Sequence, residues 1–251
     1  MAPNALVTGG ARRIGRSIVE RLAREGYGVA IHCNRSWEEG EAVAETIRAA
    51  GGRAALVRGD LADPGTPGRL VAEAGAALGA LGLLVNNASE FHPDEAVSLD
   101  LALWDRHFAV NLRAPAFLAQ GFARQLPEGE AGCIVNIVDQ RVRKPTPQFF
   151  SYTLTKAALM TATQTLAQAL APRIRVNAVG PGPTLRGARQ EEEDFARQNA
   201  ALLLGRGPSP DEIADAVVFL ARARSVTGQM IAVDGGQHLA WETADVVGMK
   251  E

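Results

Sequence analysis

Short apolar runs alternate with longer amphipathic ones along almost the whole chain, and few folds accept that order. Ala5–Thr8, Gly28–Cys33, Ala54–Arg58, Leu83–Asn86, Cys133–Val138, Arg175–Val179 and Met230–Val233 have the length and apolar content of strands. Between them Ile14–Glu25, Glu38–Ala50, Gly68–Leu78, Leu112–Leu126 and Tyr152–Leu170 carry helical periodicity. Strands apolar on both faces, separated by helices, build parallel βαβ units whose sheet is covered on both sides. The expected class is therefore α/β, doubly wound. A further helix, Asp211–Ala221, is announced by Ser209-Pro210-Asp211-Glu212, an N-cap serine with proline at the first helical position and glutamate three residues on. No internal repeat, low-complexity segment or Pro/Gly linker divides the chain, so residues 1–251 are expected to form a single domain. The main irregular stretch, 180–207, is expected to be a lid or substrate loop.

Bulk properties remove several classes of function. A formal net charge of −2 offers no basic face to nucleic acid, and no apolar run reaches the ~20 residues that span a bilayer. Strand-like sequence begins by Ala5, so no signal peptide is expected ahead of it. Cys33 and Cys133 are isolated and read as buried small hydrophobes, consistent with a reducing cytoplasm. His32, His92, His107 and His238 lack ligand spacing, so no metal is expected. The acidic run Glu191–Asp194 reads as a solvated helix start.

The first strand runs into Gly9-Gly10-Ala11-Arg12-Arg13-Ile14-Gly15 and then a helix. Glycines there permit a tight turn and bring the helix N-terminus, with its free N–H groups, against a pyrophosphate. Folds that bind NAD usually place a carboxylate after the second strand to bond the ribose 2′-hydroxyl. This chain has Asn34-Arg35-Ser36 instead, whose cation and hydroxyl suit a 2′-phosphate, against the plainer reading of a solvated arginine and a capping serine. The expected cofactor is NADPH.

Tyr152 and Lys156 lie four residues apart on one helical face. An ammonium beside a phenol favours the phenolate and lowers a pKa that is otherwise near 10, which would let the phenol exchange protons during hydride transfer. Together, Thr8-Gly9 with Gly15, Asn86-Asn87-Ala88, Tyr152-x-x-x-Lys156, Pro181-Gly182 and Thr227-Gly228 with Asp234-Gly235-Gly236 resemble the short-chain dehydrogenase/reductases, from about Ala5 to Gly236. The resemblance implies a single Rossmann-type domain with sheet order 3-2-1-4-5-6-7, and a homotetramer. It also implies that Tyr152 transfers the proton, that Lys156 holds the nicotinamide ribose and that Asn111 helps position a water near the lysine. Gly9, Arg13, Ile14, Gly15, Asp60, Leu61, Asn87, Ala88, Pro181 and Gly182 would line the cofactor, Asp60 at the adenine.

Two departures narrow the resemblance. Asp139 stands where the family commonly has serine, 13 residues before Tyr152, and Arg13 replaces the middle glycine of the turn. With Arg35-Ser36, Ser89 and Phe91, they resemble the pteridine reductases and the bacterial dihydromonapterin or dihydrofolate reductases. A dihydropterin is reduced at a C=N bond, so a nitrogen gains a proton as carbon gains hydride, and a carboxyl group is a reasonable donor. On this reading Asp139 and Tyr152 serve the substrate, Phe91 stacks on its ring, Ser89 bonds its polar edge and Arg13 reaches both a cofactor phosphate and the pterin oxygen. Plainer alternatives stand beside each: Asp139 paired with Arg141 or Arg143, Phe91 in the core, Arg13 in solvent. Two other functions remain open, a carbonyl or quinone reductase and an NADP-binding regulator with vestigial catalytic groups.

Overall fold

In the computed structural model of the protein, which describes residues 3–187, 190–243 and 247, seven strands form one parallel sheet in the order β3-β2-β1-β4-β5-β6-β7. The strands are β1 Asn4–Val7, β2 Gly28–Cys33, β3 Ala54–Arg58, β4 Leu83–Asn86, β5 Gly132–Ile137, β6 Ile174–Pro181 and β7 Met230–Val233. The helices are α1 Arg13–Arg24, α2 Trp37–Ala49, α3 Thr66–Leu78, α4 Leu101–Phe108, α5 Ala114–Gln125, α6 Phe150–Leu170, α7 Glu192–Ala200 and α8 Pro210–Arg222. The expected sheet order and flanking helices are observed.

The central strands explain why the sequence reads as continuous apolar runs. In β1, Ala5 and Val7 point into a core with Ile18, Val19 and Leu22 of α1 and Ile213 and Val217 of α8. Leu6, between them, points to the opposite face and packs with Leu70 and Val71 of α3 and Leu118 and Phe122 of α5. Alternate residues thus serve two cores, as a period of two requires when both faces are covered. β1 has β2 on one side and β4 on the other, with Ala5 paired to Val29 and to Leu83. Chain order reverses at this point, which opens a crevice at the carboxyl ends of β1 and β4, the place where open α/β sheets take their ligands.

Three local differences from the sequence reading matter for the site. Residues 101–113 form a helix and a π-turn, Ala109–Arg113, where only the continuation into α5 was expected. The stretch 180–207 contains α7, so it is not irregular throughout; its acidic start after Glu191 matches the expectation for Glu191–Asp194. Helix α6 begins at Phe150 rather than Tyr152, because its first amides find an acceptor far away in sequence. The capping box at Ser209 forms as expected, with Ser209 and Glu212 bonded reciprocally.

Candidate active site

In the turn after β1, main-chain amides and carbonyls are held in place by the side chains of Thr8, Asn87 and His32. Gly9 adopts φ +63°, and a Cβ on Gly15 would sit 2.1 Å from the Gly9 carbonyl oxygen, so glycine is required at that approach. Thr8 Oγ1 accepts from the amides of Asn87 and Ala88, while Asn87 Nδ2 donates to the carbonyls of Thr8 (2.8 Å) and Gly9 (3.2 Å). The carboxyl ends of β1 and β4 are locked together by these bonds. His32, fully enclosed, completes the turn from the β2 side: Nδ1 accepts from the Gly9 amide and Nε2 donates to the Gly59 carbonyl. Burial holds its pKa below the usual value, which keeps the neutral tautomer that this geometry demands. Helix α1 starts with no acidic residue in its first turn and no side-chain cap among the described residues. Its N-terminal amides are therefore not spent on a side-chain cap, the condition under which a helix start can take an anion.

Beside this turn lies a cavity of about 230 Å³ lined by Gly9, Arg12, Asn34, Arg35, Ser36 and Arg106, among others. Arg35 is exposed and makes no ion pair among the described residues; Arg12 makes a long 3.7 Å contact to Glu39. Ser36 occupies the N-cap position of α2 but makes no capping bond, so its hydroxyl is not consumed by the helix. On the opposite wall Arg106 bridges Asp60 (3.2 Å) and Glu90 (2.7 Å). Burial opposes ionisation of Asp60, but bonds from the Ala62 amide and Arg106 outweigh it and hold the carboxyl below its ordinary range.

At the end of β5 the chain places Asp139, whose Oδ1 accepts from the Arg141 amide and so starts a short 3₁₀ turn. Its Oδ2 accepts from the Tyr152 hydroxyl at 2.8 Å and from Arg141 Nη1 at 3.3 Å. Tyr152 is buried, and burial together with the facing Asp139 carboxylate holds the phenol well above its ordinary pKa. Lys156 donates to the Ile137 carbonyl at 2.8 Å and lies 5.6 Å from the Tyr152 ring centre; burial pushes its pKa down to about 8. The expected direction for Tyr152 is thus reversed in the free protein. The nearest charge to the phenolic oxygen is anionic Asp139, not the lysine, so the neutral phenol is favoured.

An aromatic wall stands over this pair. Phe91, 41% exposed, stacks on Phe149 with ring centres 4.2 Å apart and meets the Tyr152 ring edge-on at 4.7 Å. The Arg141 guanidinium covers both phenylalanines at 5.6 and 5.3 Å. Asn111, in the π-turn, accepts from the Glu90 amide and Ser89 hydroxyl, and donates to the Glu90 carbonyl and Thr155 hydroxyl. A π-turn widens the helix locally, which directs this side chain out of the α4–α5 line and under the loop carrying Phe91.

A family model described as enoyl-(acyl carrier protein) reductase matches residues 9–238. The chain is 34% identical to pteridine reductase 1 of Leishmania tarentolae, over 95% of this chain and 97% of that protein. It is 33% identical to a 3-oxoacyl-[acyl-carrier-protein] reductase of Staphylococcus aureus, over 95% and 99% respectively. The chain belongs to the short-chain dehydrogenase/reductase family. Among solved structures of that family, FolM alternative dihydrofolate reductase 1 from Brucella canis, complexed with NADP, superposes with a TM-score of 0.94 at 58% identity, covering 97% of each chain.

Within this short-chain reductase frame the residues singled out from sequence fall into two groups. Gly9, Gly15, Asn34, Arg35, Ser36, Asp60, Asn87 and Ala88 surround the crevice at the β1–β4 switch and the cavity beside it. Pro181 ends β6, and Gly182 bonds the Val233 carbonyl so closely that a Cβ would meet Asp234 at 2.7 Å. Leu61 is buried, and Ile14 packs partly buried against the core. Phe91, Asp139, Tyr152 and Lys156 gather at the second locus, with Asn111 beneath it.

Arg13 points elsewhere. It sits at φ +54°, a conformation suited to the glycine it replaces, and donates to the carbonyls of Leu185 and Arg186, both at 3.1 Å. It ties the phosphate turn to the 180–207 stretch. The Ser89 hydroxyl is exposed but engaged with Asn111. Asp139 makes the expected pair with Arg141, and the same carboxylate oxygen also accepts from Tyr152. Sequence reasoning gave no site role to Arg12, Arg106, His107 and Phe149. Arg12 lay inside the quoted turn and was legible as a second cation; the others become neighbours of the site only through long-range packing. Among the described residues no group of three His, Cys, Asp or Glu is arranged to hold a metal, and no helix is long and apolar enough to cross a membrane.

Proposed function

We propose that this short-chain oxidoreductase uses NADPH to reduce a dihydropteridine, of the dihydropterin or dihydrofolate class. The observation that carries the reading is the Asp139–Tyr152 hydrogen bond of 2.8 Å beneath the half-exposed Phe91 ring. Reduction of a C=O or a C=N bond alike consumes one hydride and one proton, so the distinction lies in the shape and chemistry of the wall that faces the acceptor. A C=N bond needs a proton at nitrogen as hydride reaches carbon, and a carboxyl–phenol pair facing an aromatic platform suits a flat nitrogen heterocycle. The similarity to the Brucella dihydrofolate reductase and the Leishmania pteridine reductase supports the same reading.

The residues present fit the cofactor. Gly9, Gly15 and the uncapped start of α1 would hold the pyrophosphate, Arg35, Ser36 and Arg12 the 2′-phosphate, and Asp60 with Leu61 the adenine. Asn87, Ala88, Pro181 and Gly182 would flank the nicotinamide half, with Lys156 on its ribose. NADPH, when bound, supplies the hydride. Phe91 would stack on the substrate ring, and Ser89 and Arg13 would reach its polar edge once the Leu185 and Arg186 contacts are given up. The proton gained by the ring nitrogen leaves the Asp139–Tyr152 pair, either member relaying it across their shared bond, while the Asn111 side chain, with all its bonds made to protein groups, holds the loop that carries Phe91 rather than a water. Residues 1–251 act on this reading as one reductase domain with 180–207 as its substrate loop, assembled as a cytoplasmic homotetramer. Light scattering of the eluted protein tests the assembly.

The deciding measurement is NADPH consumption across oxidised pterins, dihydropterins, dihydrofolate and simple quinones. Turnover confined to dihydropterins or dihydrofolate supports the proposal. Efficient turnover of quinones or ketones alone, in line with the similarity to the acyl-carrier-protein reductase, would replace it with a carbonyl reductase.

A further inference from the structure

His107 is fully buried and takes no part in the chemistry proposed above, yet it touches both halves of the substrate wall. Its Nε2 lies 3.3 Å from the backbone amide of His92, the residue after Phe91, and its Nδ1 lies 2.6 Å from Oγ of Ser151, the residue before Tyr152. A backbone amide can only donate, so Nε2 must carry the lone pair and Nδ1 the proton. The link closes into a ring: the Ser151 amide donates to both carboxylate oxygens of Asp94 at 3.1–3.2 Å, and the Phe150 amide donates to the Asp94 carbonyl. Residues 92–94 and the first turn of α6 are thereby stapled together. Phe91 and Tyr152, one residue outside the staple on each strand of chain, meet edge-on at 4.7 Å.

A nucleophilic serine–histidine pair is ruled out by the same geometry. The proton lies on the nitrogen facing Ser151, so His107 cannot accept one from it, and Ser151 has no surface open to a substrate. The ring is instead a two-ended spacer. We propose that His107, as its Nδ1–H tautomer, is a positioning residue that sets Phe91 against Tyr152 and thereby fixes where the substrate ring lies relative to its proton donor. This rests on the reading of Phe91 as the stacking face. The bond to the His92 amide carries the effect on Phe91. The bond to Ser151 anchors the imidazole to α6, whose own backbone bonds already hold Tyr152. Burial, which lowers the pKa of His107, keeps the ring neutral, and the groups facing it are Asp94, His92, Glu90, Ser151 and Tyr152.

The test combines a spectrum with a mutant cycle, using the full chain and whichever compound of the pterin and quinone panel it reduces best. Long-range ¹H–¹⁵N correlation spectra of the imidazoles of the wild-type protein at neutral pH should show His107 protonated at Nδ1 alone. His107→Phe removes both bonds at similar volume and should raise KM about tenfold, the scale of one lost buried hydrogen bond, with a smaller change in kcat and no change in the NADPH dissociation constant. His107→Gln can present an amide oxygen near the place of Nε2 and should bring KM back toward wild type, whereas His107→Asn, whose amide reaches only the Ser151 end, should not. In a Phe91→Ala background His107→Phe should add nothing to KM. An Nε2–H or doubly protonated ring overturns the proposal, even if the variants do not fold. So does a KM effect that is equal with and without Phe91, or equal in Gln, Asn and Phe. A wild-type protein that reduces quinones but no pterin overturns the function proposed above and leaves the cycle readable on the quinone.

Discussion

The two ends of the crevice are constructed differently. At the cofactor end two glycines let the main chain approach closely, and the side chains of Thr8, Asn87 and His32 fix its amides and carbonyls in place. At the substrate end it comes from side chains contributed by residues 89–94, 107–111 and 139–152, which touch one another through rings and hydrogen bonds. A site whose side chains bond only main chain tolerates change in whatever does not alter the turn. A side-chain-built site shifts whenever any member is resized. Variants at the substrate end should therefore alter turnover and substrate binding together, while those at the cofactor end should alter one affinity at a time.

The largest effect is expected at Asp139. Asp139→Asn keeps the size but removes the charge and the carboxylate that shares the phenol's proton, so dihydropterin turnover should fall by ~10²-fold or more while NADPH affinity holds. Because the Asp139 carboxylate is one of the causes that raise the Tyr152 pKa, the alkaline limb of the pH–rate profile should move to lower pH in this variant. Asp139→Ser should leave pterin turnover low while admitting simple carbonyls. Near-wild-type turnover in Asp139→Asn would show that Tyr152 or water suffices, and the contrast between the two ends would then rest on Phe91 alone.

Arg35→Asp probes the other end. Loss of a charge-assisted bond costs about 1.5–3 kcal/mol, so NADPH affinity should fall tenfold or more, with NADH affected far less and dihydropterin KM unchanged at saturating cofactor. Equal losses for both cofactors, measured by titration, would detach Arg35 from the 2′-phosphate.

Phe91→Ala should weaken substrate binding by several-fold, since a stacked ring pair contributes ~0.5–1.5 kcal/mol beyond its burial. Phe91 is half-exposed, so the melting temperature should change little. A large drop in melting temperature with parallel loss of NADPH binding would make it a core residue instead.

The smallest effect separates stability from catalysis. Lys156 has its pKa pushed from 10.5 down to about 8 by burial, so between those values the unfolded chain holds a proton that the folded chain has released. Stability from this group therefore rises with pH across the window, and the cost of burying its charge is fully present below it. Wild type should gain thermal stability relative to Lys156→Met as pH is raised from about 8 to 10. Cys33, Cys133 and Tyr27, whose pKa values burial raises, act in the opposite sense but do so in both proteins. A constant difference across the range would mean that Lys156 is more solvated than its surroundings imply.

Local chemistry was legible in the sequence wherever one segment decides the outcome. Strands buried on both faces need apolar residues at every position, so their number and near boundaries could be read, and the helix after Ser209 carried its own cap. The phosphate turn was legible because its glycines, conformation and neighbours lie within a few residues. Tertiary structure decided the rest. Helix α6 gains its first turn from Asp94, and no signal at Phe149, itself at φ +56°, announces a helix there. The shift of Tyr152 depends on which charge lies nearest its oxygen, and Asp139 and Lys156 stand in sequence at comparable claims to that place. Only the packing of β5 against α6 puts the carboxylate at 2.8 Å and the ammonium against a carbonyl. Spacing along a chain fixes which residues share a face. It does not fix distances between elements, and electrostatic effects follow distance and burial.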